Sequence, residues 1–583
     1  MTVIPFLVAA AAAGTASLLA RTHRGLSTSI AVFGLIVMIA TATAIGPAAS
    51  IEIGGSRLAA SEWLRLYAIL GSLVGLLLVL VDVTALHEPD APGVIVLGIG
   101  AAVLALALSD PGVAVVAATA GGLAGVLVAA PVGAAARAAF VGAREIRALT
   151  IAGTLSILAT AWLARPLGDL VAAPAVFGAA YLAFAAAVAI RFGAIPFHLW
   201  AARVADAAPG VALPLLMAWG PAAFAAVALV WIDQSVAPLV LPFGAERALI
   251  AAVGAVSILL GLVAAWIQDD LEHVVGYTIV ADAGFAVLGL AVLDPAIWEP
   301  TRVWLLVFVV ARSALAAWVV AIHGGFGTRR LPELSGWARR APGLGVALAA
   351  IAIATIGWPG LAAWEARATI GTLALPSLLA GLVTIAPVAS LAIYGRILAV
   401  GLEPVGQTVK VGRGERPSWP TPMPSRPMVG LTGVERTFEK AGHAAGGALD
   451  LAWTVPAGIR RNRMGLASIA VLVLGVLAVA VAAGGLGVPA AARAVPAIVE
   501  PGPGQPTEPS EPAGSPSASD EASPAPSDGG SGEASPAAGS PGASGSPEAS
   551  GPLGPSPGSS APAGSPAGES PGTPGGSAEP SAR

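Results

Sequence analysis

One stretch in the middle of the chain, residues 191–221, reads RFGAIPFHLWAARVADAAPGVALPLLMAWGP. It places prolines, a histidine, two tryptophans and several charged side chains between long apolar runs. Ionisable groups at membrane depth are costly, and they are functional candidates by default. Irregular backbone at that depth is tolerated where it is buried in protein or lines a cavity. The stretch therefore predicts a functional segment inside a membrane protein.

The composition is that of a protein with many membrane spans. Apolar residues make up 56% of the 583 residues, charged residues make up 11%, and the mean hydropathy is +0.80. A soluble domain carries about 25% charged residues. The chain has no cysteine, which excludes cysteine-ligated iron–sulfur clusters, disulfides and thiol nucleophiles. We find no motif for a metal, a haem or a nucleotide, so we expect no cofactor, no redox chemistry in this chain and no nucleic-acid partner.

Fourteen apolar runs have a length sufficient to cross a membrane, which takes about 17–25 residues. We therefore predict an all-α polytopic membrane protein with about 14 transmembrane helices. The runs lie near residues 3–20, 28–48, 63–86, 93–109, 112–132, 147–164, 171–190, 209–232, 247–267, 273–293, 302–322, 343–362, 369–399 and 464–485.

The arginines predict the orientation of these spans in the cell membrane. They are concentrated in the loops that follow the odd-numbered runs, including the long loop 403–463. The positive-inside rule places those loops in the cytoplasm, so both termini are extracytoplasmic. The first run has no basic residue before it and is followed by Arg21 and Arg24, which predicts an uncleaved first helix and no signal peptide.

The chain divides by composition into four segments. Residues 1–402 form the transmembrane core, 403–463 a cytoplasmic loop, 464–485 the last span, and 486–583 a tail rich in Pro, Ser, Gly, Ala and Glu. In the loop, apolar residues at helical spacing over 431–453 indicate an amphipathic helix, which lies either on the membrane surface or on the protein itself. The tail has almost no large apolar side chain, so we expect it to be disordered.

Four motifs follow one another along the chain, and together they carry a family resemblance. They are PFHLW with AP at 196–200 and 208–209, GYTI with DAGF at 276–279 and 282–285, LPELSGWARRAP at 331–342, and GWPGLAAWEAR at 357–367. In this ordered set the sequence resembles the antiporter-like N, M and L type membrane subunits of proton-pumping NADH:quinone oxidoreductase. Those subunits are related to subunits of Mrp-type antiporters and membrane-bound hydrogenases. The resemblance covers about residues 100–400.

The resemblance implies two inverted five-helix repeats, each with a broken helix. Such breaks supply helix dipole ends and free backbone groups to an ion path. Pro209, Pro214 and Pro221 mark the expected first break, and Pro359 marks the second, because proline removes an amide donor from the helical ladder. The alternative is a pair of ordinary proline-kinked helices.

The chain departs from the family at several charged positions. The resemblance implies a buried Glu on an early helix and buried Lys residues further on. The two Lys of this chain both lie in the loop 403–463, and residues 115–131, where the Glu is expected, contain no acid. The Lys positions fall on Pro221, Glu272 and Arg367. Arginine is effectively never deprotonated in proteins, so Arg367 can bias a proton path but cannot carry the proton.

The remaining charged residues give the candidate site. We consider His198, Glu272, Asp282 and Glu365 as proton-relay candidates, with Arg312 and Arg367 as fixed charges. His198 can instead be a hydrogen-bonded structural residue, and Glu272 can lie in a solvated loop. Arg312 falls in the middle of a span and needs a partner, for which we predict Asp282, because isolated burial of a charge is prohibitive.

These features favour a membrane subunit of a complex I-like NADH:quinone oxidoreductase that contributes to proton translocation. Electron transfer would then occur in partner subunits, and the partners of this chain would be other membrane subunits, the lipid bilayer and protons. A non-conducting structural or assembly subunit is the first alternative, favoured by Pro221 and the missing acid. A subunit of an Mrp-type cation/proton antiporter or of a membrane-bound hydrogenase is the second.

Overall fold

Helices make up nearly all of the described structure, because in lipid a chain satisfies its backbone hydrogen bonds within helices or closed barrels. The computed structural model describes residues 1–85, 88–129, 136–163, 174–199, 204, 210–239, 243–404 and 463–493. The described residues lie within the first of two units, Met1–Gly502.

Among the described residues up to 192, the N-terminal part contains seven helices and one hairpin. They are α1 (Ile4–Leu19), α2 (Arg24–Thr43), β1 (Ser50–Ile53), β2 (Ser56–Ala59), α3 (Glu62–Ala85), α4 (Ala91–Ala107), α5 (Pro111–Ala129), α6 (Ala136–Leu163) and α7 (Pro174–Phe192).

The C-terminal part begins with a 3₁₀ turn at Phe197–Leu199 and a π-helical segment at Leu215–Trp219. The helices that follow are α8 (Gly220–Trp231), α9 (Gly244–Trp266), α10 (Leu271–Leu290), α11 (Trp298–Phe326), α12 (Trp337–Arg340), α13 (Pro342–Ile356), α14 (Ala362–Ala374), α15 (Ser377–Ile385), α16 (Ser390–Leu402), α17 (Arg463–Ala482) and α18 (Val488–Arg493).

Within the described residues, nine helices are long and apolar enough to cross a membrane. Shorter apolar helices, such as α1, α4 and α13, lie among them. The helix at the sixth predicted run begins earlier than expected, at Ala136 and not near residue 147. The sequence Arg144–Arg147 interrupted the apolar pattern, although its side chains are compatible with a helix.

The all-α prediction missed a small antiparallel hairpin. Strands β1 and β2 pair from Ser50 with Ala59 to Ile53 with Ser56. Gly54 and Gly55 form the turn, with φ of 59° and 78°. Two successive positive φ angles favour Gly-Gly in a two-residue hairpin. The alternation SIEI, followed by GG, was the signal in the sequence.

The tail prediction also needs a correction at its start. Residues 486–583 were predicted to be disordered, but Val488–Arg493 forms α18, with Val488, Ala491 and Ala492 buried. Arg302 Nη1 donates to the carbonyl of Ala492 at 3.3 Å. Three alanines favour a helix, and the apolar side chains bury against α3 and α11. The amphipathic segment 431–453 and the tail beyond residue 493 lie outside the described residues.

The two regions where breaks were predicted differ from each other. At the second, α13 ends at Ile356, Gly357 and Gly360 have φ of 54° and 90°, and α14 begins at Ala362. In the first region the chain stays helical through Pro214 and Pro221, with wider π geometry at Leu215–Trp219 between them. Pro221 is the second residue after the π-helical segment, so its missing amide donor falls where the helix changes from π to α geometry. The described part of the first region is therefore distorted but not interrupted.

Helix α11 is the buried axis on which the candidate site is built. At about 1.5 Å per residue its 29 residues extend about 43 Å, and side chains from Val303 to Ile322 are buried. It packs against α3, α10, α13, α14 and α17. A polar side chain in the middle of α11 can therefore be satisfied by several other helices, including both sides of the break between α13 and α14.

A cluster of acids lies where α3 passes to α4. Asp82 Oδ1 accepts a hydrogen bond from the Glu88 backbone amide at 3.0 Å, and Asp90 Oδ1 lies 3.4 Å from Arg21 Nη1. Burial, together with the carboxylates of Asp82 and Asp90, raises the pKa of Glu88 to about 8. This group therefore prefers its protonated form in the folded protein.

The raised pKa of Glu88 predicts a stability that depends on pH. The folded state binds this proton more tightly than the unfolded state, so the contribution is complete below the unfolded pKa of 4.5 and is lost as the pH rises through about 8. We expect thermal stability in detergent to fall between about pH 5 and about pH 8, and Glu88→Gln to flatten that fall. Glu52→Gln, on the exposed hairpin, is the matched control and should leave the pH profile unchanged. An unchanged profile in Glu88→Gln would contradict the assignment.

Candidate functional site

A buried ion pair lies between α10 and α11. Arg312 Nε donates to Asp282 Oδ2 at 2.6 Å, and Arg312 Nη2 lies 2.6 Å from the same oxygen. Arg312 is 1% exposed and Asp282 is 4% exposed. The pairing predicted from the mid-span position of Arg312 is confirmed. Trp304 Nε1 also donates to the Asp282 backbone carbonyl at 3.1 Å, which fixes α10 against α11.

The pair continues into a hydrogen-bonded chain that reaches the helix break. Arg312 Nη1 lies 3.4 Å from the Tyr394 hydroxyl on α16. That hydroxyl donates to Thr355 Oγ1 at 3.2 Å, and Thr355 is one residue before the end of α13. Side chains from α10, α11, α13 and α16 are thereby joined. Breaking a buried network of this kind is strongly destabilising, because a polar group that loses its partner in a low dielectric has a high free-energy cost.

Arg367 caps the helix that ends at the break. It is on α14, fully buried, and donates through Nη1 to the Thr355 carbonyl at 3.2 Å. Nη2 donates to the Gly357 carbonyl at 2.9 Å and to the carbonyl of Ile356. These carbonyls carry the negative end of the α13 dipole, which stabilises a cation. The guanidinium carbon also lies 5.2 Å from the centre of the Trp304 ring, a favourable cation–π contact.

The charges in this hydrogen-bonded network determine which of its groups can exchange a proton. Asp282 contributes one negative charge, while Arg312 and Arg367 contribute two positive charges that arginine does not give up. Asp282 is attracted by both guanidinium groups. The carboxylate of Asp282 is thus the acidic side chain of this cluster.

A second charged cluster lies at the start of α10. Arg329 donates to Asp270 Oδ2 at 2.9 Å and to a Glu272 carboxylate oxygen. Asp270 Oδ1 caps α10 by accepting from the Glu272 amide at 3.0 Å. Glu272 is buried while neighbouring Asp269 is exposed. Asp269 is therefore solvated, but the solvated-loop alternative does not hold for Glu272. A Cβ at Gly210 would lie 3.9 Å from Glu272 Oε1, which places this carboxylate beside the first region where a break was predicted.

This cluster gives a stability prediction with a control at the next residue. Arg329→Ala removes a charged donor from Asp270 and from buried Glu272, and hydrogen bonds to charged groups contribute about 1.5–3 kcal/mol each. We expect a loss of about 2 kcal/mol in the free energy of unfolding. Arg330→Ala removes an exposed guanidinium whose pair with Glu333 spans 3.9 Å, and it should change stability by less than about 0.5 kcal/mol. Equal losses in thermal unfolding of the two variants would refute this role of Arg329.

The other predicted site residues are dispersed. His198 is in the 3₁₀ turn Phe197–Leu199, and its ring centroid lies 6.5 Å from that of Tyr277 on α10. Glu365 is exposed in the first turn of α14. Pro359 is exposed in the break, Pro214 directly precedes the π-helical segment, and Pro209 lies outside the described residues.

The sequence analysis missed two buried carboxylates, Asp82 on α3 and Glu145 on α6. Glu145, on α6, is 4% exposed, as is Arg191 on α7, and the two charges attract each other. The early acid was expected within residues 115–131, which lie in the preceding helix. Residue 145 was assigned to a loop because of the basic residues 144 and 147. The helical spacing of residues 136–163 was the signal that could have placed it. In the part of the chain that the structure describes, no group of three His, Asp or Glu residues could hold a metal ion.

Solved structures share this fold. A chain of the membrane-bound sulfane sulfur reductase, an archaeal respiratory membrane complex, superposes with a TM-score of 0.58 at 15% identity, over 81% of this chain and 99% of that one. A chain of respiratory complex I from Thermus thermophilus gives 0.57 at 17% identity, over 83% and 98%. A chain of the Mrp complex from Dietzia gives 0.55 at 17%, over 84% and 95%. The fold is therefore shared with chains of these three membrane complexes.

Sequence comparison finds relatives of the kind that the motifs predicted. Residues 145–391 match the family described as NADH:quinone oxidoreductase/Mrp antiporter, TM, which confirms the resemblance over that part of the chain. NADH-quinone oxidoreductase subunit N of Sphingopyxis alaskensis is 30% identical over 177 residues, 29% of this chain and 36% of that protein. Subunit N of Cereibacter sphaeroides is 34% identical over 200 residues, 33% and 42%. The chain thus matches roughly two fifths of the length of these curated relatives.

Proposed function

We propose that this chain is a membrane subunit of a complex I-like NADH:quinone oxidoreductase and takes part in proton translocation. The observation that carries the proposal is the buried ion pair Asp282–Arg312, joined through Tyr394 and Thr355 to the helix end capped by Arg367. A paired charge in the middle of a bilayer is costly and is a functional candidate. The similarity to subunit N proteins supports the choice of complex.

In this proposal the pair is a switch. With Arg312 on Asp282, the guanidinium stabilises the ionised form of the carboxylate. When a conformational change in the complex draws Arg312 toward Tyr394, which is 3.4 Å away, the carboxylate loses its counter-charge and takes up a proton, because an isolated buried carboxylate prefers the neutral form. Arg367 stays on the carbonyls of α13 and repels other cations. Glu272, His198 and Glu145 are the further titratable groups that could pass a proton to or from this pair.

The surface near the second break supports a partner subunit. Trp358, Pro359, Gly360 and Glu365 are exposed, and the adjacent Thr355 is linked through Tyr394 to the middle of α11. Irregular backbone and carboxylates at membrane depth are not tolerated against lipid. We infer that a neighbouring membrane subunit covers this surface. We further propose a multi-pass location in the cell membrane, with both termini outside and loop 403–463 in the cytoplasm.

Affinity purification of the tagged chain from its own cells tests which complex contains it. The proposal expects NADH:quinone oxidoreductase activity and the redox subunits of that enzyme to co-purify. Recovery with cation/proton antiporter or hydrogenase subunits, without NADH oxidation, would refute the choice of complex. A Glu365→Trp variant should release the partner subunit that lies against α14, whereas Leu378→Trp, at an 88% exposed position on α15, should retain it.

A non-conducting structural subunit is the second candidate. Pro221, at the position where the family resemblance implies a Lys, is the observation that favours it, because proline has no titratable group. The two candidates differ in one outcome: a structural subunit is needed for assembly, but its Asp282 does not affect how many protons move per electron.

A further inference from the structure

Three exposed arginines lie where α12 ends and α17 begins. Arg339 and Arg340 are the last residues of α12, and Arg463 is the first residue of α17. Arg340 Nη2 donates to the Ser335 carbonyl at 3.0 Å, and its guanidinium carbon lies 4.8 Å from the centre of the Phe326 ring. Within the described part of the chain, none of the three arginines forms an ion pair. We call these three residues the arginine patch.

Contacts at the end of α11 bring the members of the arginine patch together. A Cβ at Gly325 would overlap the side chain of Met464, so Arg463 lies next to the end of α11. The ring that Arg340 covers belongs to the next and last residue of α11. The arginine patch is therefore one surface, formed where α11, α12 and α17 meet.

The acids on the neighbouring loops do not neutralise this surface, because other arginines already bind them. These pairs are Asp269 with Arg396, Asp270 and Glu272 with Arg329, and Glu333 with Arg330. Glu403, which follows α16, is exposed and forms no ion pair among the described residues. Three positive charges thus stand against one negative charge. Planar guanidinium groups match the oxygens of a phosphate, so such a surface favours a phosphate group as its ligand.

An apolar stripe on α17 begins one turn after the arginine patch. Its members Leu466, Ile469, Val473 and Val476 are exposed, and their spacing of three and four residues places them on one face of the helix. From Arg463 to Val476 the helix rises about 20 Å, at about 1.5 Å per residue. The hydrocarbon of one bilayer leaflet is about 15 Å thick, half of about 30 Å. The stripe is therefore long enough to lie along a whole acyl chain.

We propose that the arginine patch and the α17 stripe bind an anionic phospholipid. The arginine patch holds the phosphate, and the acyl chains lie along the stripe. Basic surfaces beside membrane helices recognise anionic headgroups in this way, whereas the ammonium of a zwitterionic lipid would be repelled by the excess of positive charge. This inference goes beyond the proposed function, since it requires a bilayer but no proton transport.

Photo-crosslinking of the full-length chain in phosphatidylcholine vesicles tests this site. The probes are phosphatidylglycerol and phosphatidylcholine, each with a diazirine in the same acyl chain, and adducts are mapped by mass spectrometry. Adducts on residues 466–476 of α17 are divided by those on residues 256–263 of α9, which also presents exposed apolar side chains. This ratio removes the general contact with lipid. We expect it to be severalfold higher for phosphatidylglycerol than for phosphatidylcholine.

Variants and competitors identify the source of the enrichment. Arg339→Gln, Arg340→Gln and Arg463→Gln combined should make the two ratios equal, and the α9 adducts show that this variant is inserted. Arg330→Gln, which breaks an exposed pair with Glu333, is the matched control and should keep the enrichment. Unlabelled phosphatidylglycerol in excess should lower the α17 adducts, whereas inorganic phosphate should not.

Four results would overturn the proposal. Equal ratios in the parent chain would leave the arginines with a role in membrane orientation only. Enrichment that persists in the triple variant would exclude the arginine patch as its cause. Competition by inorganic phosphate would define a site for a free anion. Loss of the enrichment in the complex purified from cells would show that a partner protein covers this surface. Crosslinking measures no proton transport, so each of these results leaves the proposed function untouched.

Discussion

Asp282→Ala is expected to destabilise the protein by about 3–5 kcal/mol, because removing one partner of a buried ion pair leaves the other charge uncompensated. Arg312 is 1% exposed, and after the substitution its remaining side-chain partner among the described residues is the hydroxyl of Tyr394. Trp304 would keep its hydrogen bond to the backbone of residue 282. The loss of stability would therefore be due to the missing carboxylate. The fraction of protein that stays monodisperse after heating in detergent measures it.

A second substitution separates the charge from the packing. Asp282→Leu combined with Arg312→Met removes both charges and retains side-chain volume, and such replacements are often neutral or stabilising. We expect the double variant to regain most of the stability that Asp282→Ala loses. Glu403→Ala, at an exposed site after α16, controls for loss of a carboxylate and should stay within about 0.5 kcal/mol. A double variant as unstable as Asp282→Ala would show that the ion pair is not the cause.

Arg367→Met is expected to lower the free energy of unfolding by about 3 kcal/mol or more. The substitution leaves the carbonyls of Thr355, Ile356 and Gly357 without this donor, and an unsatisfied buried acceptor costs about 1–3 kcal/mol. It also removes a cation from the negative end of the α13 dipole. Because Gly357 has a φ of 54°, the backbone there cannot rejoin α14 as a regular helix to satisfy these groups.

Arg367→Lys tests whether the shape of the guanidinium matters in addition to its charge. A lysine ammonium is a point charge without the planar fork of arginine, so we expect a stability between those of the parent and Arg367→Met. Arg65→Met, which breaks a half-exposed pair with Glu62, is the control and should cost less than about 1 kcal/mol. Thermal unfolding of the four proteins in one detergent gives the comparison, and an Arg367→Met variant as stable as Arg65→Met would contradict the capping role.

Hydrophobic patterning was sufficient to predict most of the helices, because runs of apolar residues in lipid can form little else. It also predicted the partner of Arg312, since one acid lay at the matching depth of a neighbouring helix. The four motifs led to the family. The family resemblance and Pro359 pointed to the second helix break, where Gly357 and Gly360 have positive φ angles.

What the sequence did not reveal depends on tertiary contacts. Nothing in the local sequence marks Tyr394 or Thr355 as part of a buried hydrogen-bonded network. They join it because α13 and α16 pack close to α11. Glu145 was missed because flanking arginines resembled a loop, although one of the faces of α6 is buried. Glu365 is next to Arg367 in the same motif, yet two residues along a helix face different directions, so one is exposed and the other buried.

The most direct test of the central claim is the number of protons pumped per electron. Inverted membrane vesicles driven by NADH would be compared for the parent chain, Asp282→Asn with Arg312→Gln, and Glu403→Gln as control, each normalised to assembled complex. The double variant leaves no unpaired charge and removes the carboxylate that is proposed to take up the proton. We predict fewer protons per electron with electron transfer intact. An unchanged ratio in the assembled double variant would contradict the account and leave the Asp282–Arg312 pair with a structural role.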